Sequence, residues 1–337
     1  MTRGGWDGAG DVIRLTGVRG SGRHGVLDFE KVEPQPFVVD VTMWVDTQPA
    51  HSSDDLADTV NYGAVAADVV AIIEGPHVDL IERLAGLIAD AVLARDLVEQ
   101  VEVCVHKPEA PVGVPFGDVT VAVTRSDVRR AVVALGSNEG DSLGLLTRAV
   151  AELGELPRTA VRALSPLVLT DPVGGPEQPD YLNAVAIIDT TLRPKTLLRR
   201  LHEIEARHGR TREVRWGQRT LDLDLIQYGD PDTGTDVTYD TEHLTLPHPR
   251  AHERGFVLLP WLLAQPGAVL RRGGAAVPVT DLLRALPGAT HTGAPSGTDA
   301  DIAVQGVRPG PSWPASVFAA PPPLPPSPSS APLGGPA

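Results

Sequence analysis

Cysteine is nearly absent from this sequence of 337 residues, which contains only Cys104. A single cysteine excludes an intramolecular disulfide framework and a cysteine-based metal site. Because Cys104 lies within the apolar run 101–105, we expect it in a buried strand. Aromatic residues make up only 4% of the chain, so the aromatic residues that occur within motifs are informative.

Basic residues and long apolar runs are also scarce. The chain has 29 Lys and Arg against 43 Asp and Glu, a net charge of −14. This charge argues against nucleic acid or an anionic membrane surface as a partner. The most apolar stretch, 255–264, contains Pro260 and is too short to span a bilayer. The first residues lack the apolar core of a signal peptide, so we expect a cytoplasmic protein.

The first part of the chain, residues 10–126, is predicted to form one α+β domain. The whole chain, with 337 residues and a hydrophobic content of 42%, is long enough for about two domains. Strands are predicted at 11–20, 37–45, 101–105 and 119–123, and helices at 62–74 and 80–95.

Residues 130–286 are predicted to form a second α+β domain. Strands are predicted at 131–135, 161–169, 181–190 and 219–228. Helices are predicted at 143–153, with Asp141 or Ser142 as the N-cap, at 194–208, and at 252–263 with an interruption at Pro260. The order β-α-β-β-α-β is that of the ferredoxin-like arrangement. Residues 136–138 are predicted to form a turn. The remaining residues, 287–337, are dominated by Pro, Ala, Ser and Gly, which predicts a disordered tail.

Residues 219–226, RTLDLDLI, alternate between leucine and aspartate. In a strand, this alternation sends the leucines to the core and places Asp222 and Asp224 on the opposite face, about 6.6 Å apart. Such carboxylates can bind a pair of divalent cations. Alternation alone also fits an edge strand with solvated carboxylates. The arginine-rich run 210–219 just upstream favours a magnesium–polyphosphate substrate.

Four motifs in the second part resemble one enzyme family, 6-hydroxymethyl-7,8-dihydropterin pyrophosphokinase. They are ALGSN at 134–138, DPVGGPEQPDYLNA at 171–184, RWGQRTLDLDLI at 215–226 and LPHPRAHERGFVLLP at 246–260. The family transfers pyrophosphate from ATP to the hydroxymethyl group of a dihydropterin and releases AMP. The resemblance implies that Asp222 and Asp224 hold two Mg²⁺ ions.

The same resemblance implies roles for further residues. Arg210 and Arg219 would act in catalysis, and ATP would be bound by Arg212, Arg215, His248, Arg254 and Glu205. Tyr181, Asn183, Trp216 and Phe256 would line the pterin pocket, with the backbone of 171–173 beside it, because aromatic faces stack on a flat ring and an amide pairs with its edge. As alternatives, Tyr181 and Phe256 are core residues, His248 is structural and Glu205 is solvated.

Five motifs in the first part resemble 7,8-dihydroneopterin aldolase. They are GRHGVLDFE at 22–30, PFVVDVTM at 36–43, DTVNYGAV at 58–65, LIERLA at 80–85 and HKPEAPV at 106–112. The resemblance implies the tunnelling fold (T-fold), with antiparallel strands, two helices on one face and assembly into a homo-oligomeric ring. The family cleaves the dihydroneopterin side chain by a retro-aldol reaction, without metal or cofactor, and releases glycolaldehyde.

This resemblance also implies the residues of the aldolase site. Lys107 would be catalytic, with Tyr62 from the neighbouring subunit as proton relay, and Glu30 would position substrate or water. Glu82 would pair with the edge of the pterin, and Ile81 would contact the substrate. Taken singly, Lys107 also reads as a strand-end cation, and Glu82 as the polar side of an amphipathic helix.

The aldolase product is the substrate of the pyrophosphokinase. We therefore interpret the sequence as a bifunctional enzyme of folate biosynthesis that acts on pterins and ATP. One alternative keeps the kinase and makes the first part an oligomerisation module only. Another makes the protein an interaction scaffold that acts through its proline-rich tail.

Overall fold

The computed structural model describes residues 10–172, 178–209, 220–291, 302–304 and 306–318. Arg210, Arg212, Arg215, Trp216 and Arg219 lie outside these residues, as do Val173 and the proline-rich end of the chain. In the part that is described, no helix is both long and apolar enough to cross a membrane.

The first domain is a four-stranded antiparallel sheet with helices packed on one face. Its elements are β1 (Asp11–Gly22), β2 (Gln35–Val45), α1 (Gln48–Ser53), α2 (Tyr62–Ile73), α3 (Ile81–Leu93), β3 (Gln100–His106) and β4 (Thr120–Ser126). The sheet order is β1-β2-β3-β4. The predicted strands and helices all occur, and the short helix α1 was not predicted.

The strand pattern explains this domain's core. Along β2, alternate residues such as Phe37, Val39 and Met43 are fully buried. They pack with Val69 of α2 and Ile88 of α3 in one apolar cluster. A strand with period-2 alternation under two helices of period 3.6 is what the sequence predicted.

The second domain begins with β5 (Arg129–Ser137), α4 (Ser142–Gly154), β6 (Thr159–Leu164), β7 (Val168–Thr170), β8 (Tyr181–Thr190), α5 (Pro194–Arg207) and β9 (Asp222–Tyr228). These strands and β16 (Val307–Pro309) form a larger antiparallel sheet, ordered β16-β7-β8-β5-β9, with β6 also paired to β8. Strands β5, β6, β8 and β9 with helices α4 and α5 form the predicted ferredoxin-like order. Asp141 caps α4 by accepting a hydrogen bond from the Gly144 N–H.

The remaining elements follow the ferredoxin-like core. They are β10 (Tyr239–Asp240), β11 (Thr245–Leu246), α6 (Gly255–Ala264), β12 (Val269–Arg272), β13 (Ala275–Pro278), α7 (Val279–Arg284), β14 (Thr290–His291), β15 (Ile302–Ala303) and β16 (Val307–Pro309). Helix α6 packs on the face of the sheet opposite to α4 and α5, so the sheet has an apolar cluster on each side.

Three local predictions were wrong. The strand predicted at 161–169 is two strands, β6 and β7, because the chain leaves the ladder after Ser165, where Pro166 has no N–H to donate. The turn predicted at 136–138 begins too early, since Gly136 and Ser137 still pair within β5. The helix predicted at 252–263 with an interruption at Pro260 is α6, which begins at Gly255 and continues through Pro260, where proline removes one backbone N–H donor.

The tail prediction was also wrong in part. Residues 302–304 and 306–318 pack on the second domain, where β16 pairs with β7. Val304 is buried, and Trp313 and Val317 lie against the apolar cluster of α4 and α5. Apolar residues spaced along a segment rich in Pro and Gly are sufficient to dock it when a sheet edge is open.

Arginines of the second domain hold the two domains together. The pairs are Arg158 with Glu99, Arg193 with the backbone carbonyls of Leu93 and Val98, and Arg199 with Asp46. Only Asp127 and Val128 separate β4 from β5. Burial raises the pKa of Glu99, and the charge of Arg158 opposes this rise.

Candidate active sites

A buried ion pair forms the centre of the first site. Lys107 Nζ lies 2.5 Å from Glu30 Oε1, and the two residues are 6% and 2% exposed. Lys107 Nζ also donates to the His24 carbonyl at 3.1 Å. An ammonium group has three N–H donors. Among the described residues these contacts use two of the donors, and the third is available to a substrate hydroxyl or water.

The turn that carries Glu30 explains why a carboxylate is buried here. Residues Asp28–Lys31 form a short 3₁₀ helix, and Glu30 Oε2 accepts a hydrogen bond from the Leu27 N–H at 3.0 Å. Gly25 has a φ of +150° and faces the Glu30 carboxylate. A Cβ at position 25 would overlap that carboxylate, so only glycine fits.

Hydrogen bonds keep Glu30 ionised. Burial by itself raises the pKa of this carboxyl, but hydrogen bonds from Lys107, the Leu27 N–H and Gln35 outweigh burial and lower its pKa below its ordinary value. At neutral pH the site therefore contains a carboxylate beside the lysine ammonium. The pair can hold a proton donor in place without adding net charge to a buried cavity.

The other predicted aldolase residues lie at helix starts. Tyr62 is the first residue of α2 and is 61% exposed. Ile81 and Glu82 open α3, where Glu82 is exposed and Ile81 is partly buried. In the described part of the chain, the Tyr62 hydroxyl makes no hydrogen bond. An exposed tyrosine fits a residue that serves a neighbouring subunit.

Two residues of this cluster were not predicted. His24 is fully buried, and its ring contacts the Ile73 carbonyl at 2.8 Å and the Val78 N–H at 3.2 Å. Gln35 is also buried and donates to both the His24 carbonyl and Glu30. Burial lowers the pKa of His24, so the ring is neutral at pH 7. Only the position of His24 within the GRHGVLDFE motif pointed to it.

In the second site, Gly136 lies between a predicted metal ligand and a predicted pterin-binding residue. It lies on β5, opposite Asn183 of β8 and opposite Asp222 of β9. Residues directly opposite one another in a sheet share a face. A Cβ at Gly136 would lie 2.9 Å from Asn183 Oδ1, so the glycine leaves room for the buried amide. Leu221, Leu223 and Leu225 are buried on the other face, as the alternation predicted.

Asp224 forms a charged cluster with two residues of the motif at 246–260. Arg254 Nη1 donates to Asp224 Oδ2 at 3.0 Å, and His248 Nε2 lies 3.9 Å from the same oxygen. Burial lowers the pKa of His248, although the Asp224 charge opposes this effect. Arg254 also lies over the Phe256 ring at 5.6 Å. The structure therefore brings together four of the predicted kinase residues.

Two of the predicted pterin residues, Tyr181 and Asn183, lie at the start of β8. Asn183 is buried, and its amide donates to Thr170 Oγ1 at 2.8 Å. The Tyr181 hydroxyl lies 3.4 Å from Gln178 Oε1, which also accepts from Asn138 of the ALGSN motif. Thus residues from separate motifs meet through Gln178.

Glu205 differs from its alternative interpretation as a solvated residue. It is 2% exposed, and its Oε1 accepts a hydrogen bond from the Leu223 N–H at 2.7 Å. Glu205 thus holds β9 beside α5. The contact is made at Leu223, which lies between the predicted metal ligands Asp222 and Asp224. Contact of Glu205 with ATP remains a prediction, and so do the roles of the five residues in 210–219.

Two carboxylates on one face fit a magnesium site that phosphates complete. Among the described residues, no group of three or more His, Cys, Asp and Glu side chains is arranged to hold a metal ion. Mg²⁺ in phosphate-transfer sites is usually held by one or two carboxylates together with substrate phosphates. Asp222 and Asp224 therefore suit Mg²⁺ bound with ATP better than a metal ion held by protein alone.

Comparisons with known proteins match both parts of the chain. Residues 13–124 match the family model of dihydroneopterin aldolase, and residues 132–266 match that of 7,8-dihydro-6-hydroxymethylpterin-pyrophosphokinase. A dihydroneopterin aldolase of Streptomyces coelicolor is 52% identical over 118 residues, 35% of this chain and 99% of the relative. A 2-amino-4-hydroxy-6-hydroxymethyldihydropteridine pyrophosphokinase of Mycobacterium bovis is 46% identical over 161 residues, 47% of this chain and 84% of the relative.

Solved structures include an E. coli dihydroneopterin aldolase in complex with neopterin. It is 32% identical, with a TM-score of 0.33, and covers 34% of this chain and 99% of that one.

The chain thus joins a lyase domain to a pyrophosphate-transferring domain of folate biosynthesis. It belongs to the dihydroneopterin aldolase family in its first half and to the hydroxymethyldihydropterin pyrophosphokinase family in its second half. The families, the fold class and the bifunctional character predicted from the motifs are confirmed.

Proposed function

We propose that the first domain cleaves 7,8-dihydroneopterin at the Lys107–Glu30 pair. The observation that carries this proposal is the buried ammonium of Lys107 with one donor left after its contacts to Glu30 and His24. The reaction breaks the bond between the first and second side-chain carbons. The hydroxyl on the second carbon loses its proton, the second and third carbons leave together as glycolaldehyde, and the bonding electrons pass into the pterin ring.

Lys107 is the group that exchanges protons with the substrate. A proton must return to the carbon that the pterin retains; the positioned ammonium supplies it, and the proton released by the substrate hydroxyl restores the ammonium. Glu30 balances the charge and sets the position of Lys107, since it is ionised and buried. The exposed Glu82 at the start of α3 would accept hydrogen bonds from the donor edge of the pterin. Ile81 beside it would contact the ring.

The second domain would transfer pyrophosphate from ATP to the hydroxymethyl group of the product. Asp222 and Asp224 would hold two Mg²⁺ ions, which neutralise phosphate charge. Arg254 and His248 lie beside Asp224, where they would contact phosphates. Arg210, Arg212, Arg215 and Arg219 would add positive charge. Asn183, Tyr181, Trp216 and Phe256 would hold the pterin.

The aldolase domain would assemble into a ring of identical chains. Strands β1 and β4 end the described sheet, so each offers an unpaired edge to a second copy. Large apolar side chains on this domain are exposed, among them Phe29, Val32, Leu56 and Val114. Exposed apolar surface of this kind marks an interaction site. Ring closure would bring Tyr62 of one copy to Lys107 of the next, in an enzyme that works in the cytoplasm.

A product assay tests both reactions at once. The purified chain is incubated with dihydroneopterin, ATP and Mg²⁺, and glycolaldehyde and AMP are measured. We expect glycolaldehyde without ATP, and AMP only when ATP, Mg²⁺ and the cleaved pterin are all present. AMP from added hydroxymethyldihydropterin but no glycolaldehyde from dihydroneopterin would favour the alternative, in which the first domain serves only to assemble the oligomer.

A complementation experiment tests the shared site. Lys107→Met and Tyr62→Phe chains are inactive separately if both residues act in the aldolase reaction. Co-expressed chains would form mixed rings, in which about a quarter of the sites combine an intact lysine with an intact tyrosine. If activity does not return in mixed rings, Tyr62 does not serve a neighbouring site.

A further inference from the structure

The segment after the second domain's family match packs on that domain as a strap. We define the C-terminal strap as the described residues 302–304 and 306–318, which lie beyond the match at 132–266. Its strand β16 pairs antiparallel with β7 and covers the edge of the sheet. The Gly310 N–H continues this contact by donating to the Leu167 carbonyl at 2.9 Å.

Apolar and polar contacts hold the strap on both sides of β16. Before the strand, Val304 is 7% exposed and belongs to the cluster of α6 and α7. After the strand, Trp313 donates from Nε1 to the Ser165 carbonyl at 2.7 Å, and Val317 packs against the opposite cluster. The strap is therefore built into the domain and contacts both apolar layers of the sheet.

Within the strap, Arg308 connects the two ends of the β7–β8 connection. Its Nη2 lies 2.8 Å from Asp171 Oδ1, just after β7, and 2.8 Å from Asp180 Oδ2, just before β8. Both aspartates belong to the motif at 171–184, which contains Tyr181 and Asn183. The three side chains are about half exposed, so each ion pair contributes little to stability. Its consequence is geometric, because one guanidinium sets the separation of both chain ends.

The strap also contacts the start of α6, next to the Arg254–Asp224 pair. A Cβ at Gly255 would lie 2.5 Å from Val304 Cγ1, so the glycine allows Val304 to pack against the start of α6. The preceding residue, Arg254, donates to Asp224. Val304 therefore lies against the residue next to the Arg254–Asp224 pair, while Arg308 lies next to Tyr181.

We propose that the C-terminal strap positions the pterin-binding end of the kinase site, with Arg308 as a positioning residue. This role rests on the proposed pyrophosphokinase function. Arg308 contacts two aspartates of the motif at 171–184. It acts through Asp171 and Asp180, which flank the strand ends that carry Thr170, Tyr181 and Asn183.

Substitution of Arg308 tests this role in the full-length chain. For Arg308→Gln we expect KM for hydroxymethyldihydropterin to rise roughly 3- to 10-fold, the range that loss of two exposed ion pairs allows. KM for ATP and the aldolase rate should stay within twofold of wild type. Arg308→Lys keeps the charge and should restore part of the pterin affinity. Arg284→Gln removes another exposed arginine, paired with Asp281, and is the matched control.

Comparison of KM for hydroxymethyldihydropterin with KM for ATP distinguishes a positioning role of Arg308 from a general effect on stability. A purely structural role would lower the melting temperature and change both KM values together, and this outcome would overturn the proposal. An unchanged pterin KM in Arg308→Gln would also overturn it. A wild-type chain that forms no AMP would instead contradict the kinase function itself, on which the strap's role rests.

A second experiment tests the contact at Val304. Gly255→Ala places a methyl group against Val304 and beside Phe256, which is predicted to line the pterin pocket, so we expect a raised pterin KM. Val304→Ala removes the opposing methyl groups, so the double variant Gly255→Ala/Val304→Ala should recover most of the wild-type KM. If the effects of the two substitutions simply add, the strap does not act through this contact.

Discussion

Arg193 of the second domain donates to the carbonyl of Leu93, the last residue of α3, at 2.9 Å. Its Nε donates to the Val98 carbonyl, also at 2.9 Å. Arg193 is at the same time the residue that precedes α5. One guanidinium therefore joins the end of the helix that begins with the aldolase residue Glu82 to the start of the helix that carries Glu205.

We predict that Arg193→Ala loosens the two domains from each other. The variant removes the charged donor of the Leu93 and Val98 carbonyls. Each lost hydrogen bond lowers stability by about 1.5–3 kcal/mol. Thermal unfolding followed by calorimetry should change from one transition towards two, and protease should cut more readily between β4 and β5. Arg284→Ala, at an exposed position, serves as the control. A single unchanged transition would show that the other arginine contacts are sufficient.

Replacement of Lys107 should separate the two activities. For Lys107→Met we expect a loss of roughly 100-fold or more in glycolaldehyde release, since a positioned acid–base group contributes about 10²–10⁴-fold. Dihydroneopterin binding and AMP formation from added hydroxymethyldihydropterin should persist. Lys31→Met, an exposed lysine on the same turn as Glu30, is the control. Lost binding with an unchanged turnover number would make Lys107 an anchor for substrate instead.

The Glu30–Lys107 pair should make stability depend on pH. The folded state lowers the pKa of Glu30 below its ordinary value of 4.5, so the pair stabilises the fold above that pH. This contribution is lost as pH falls through the lower pKa of the folded state. At pH 7, Glu30→Gln should destabilise the protein by about 3 kcal/mol or more, because a buried ammonium loses its partner.

Denaturation of wild type and Glu30→Gln at a series of pH values checks this expectation. The difference in the free energy of unfolding should be largest above pH 4.5 and should shrink at lower pH. A difference that stays constant down to pH 3 would mean that Glu30 acts through packing and not through its charge.

Loss of either predicted metal ligand, Asp222 or Asp224, should abolish AMP formation and leave glycolaldehyde release unchanged. Asp222→Ala and Asp224→Ala would each remove a carboxylate from β9, and the aldolase domain does not use them. We expect the AMP signal to fall below about 1% of wild type, as expected when metal-ion charge stabilisation worth several kcal/mol is lost. Asp232→Ala, in an exposed turn of the same domain, is the control. Kinase activity that survives both substitutions would exclude these aspartates as metal ligands.

Prediction from sequence succeeded where the signal is local and periodic. The alternation around Asp222 correctly placed three leucines in the core and both carboxylates on the other face. The motifs pointed to Lys107 and Glu30, and the packing of the turn at 28–31 beside the end of β3 brings them into one buried pair. They lie far apart in sequence, and neither residue alone specifies the other.

What remained beyond prediction depends on contacts between distant segments. His24 and Gln35 are buried around Glu30 only because β1, β2 and the turn between them fold over the end of α2. The strap was predicted as part of a disordered tail, since Pro, Ala, Ser and Gly dominate the residues after 286. It is ordered because β7 offers an open edge and two apolar clusters offer sites for Val304 and Trp313.

The sequence by itself determined the two families, the order of elements and the chemical groups of both sites, because these follow from local periodicity and motif identity. The tertiary structure decided how these groups are paired. Register places Gly136 between Asn183 and Asp222, Arg193 joins the two domains, and Arg308 holds the ends of the pterin motif. Each of these contacts joins residues that only packing brings together, so no local pattern encodes it.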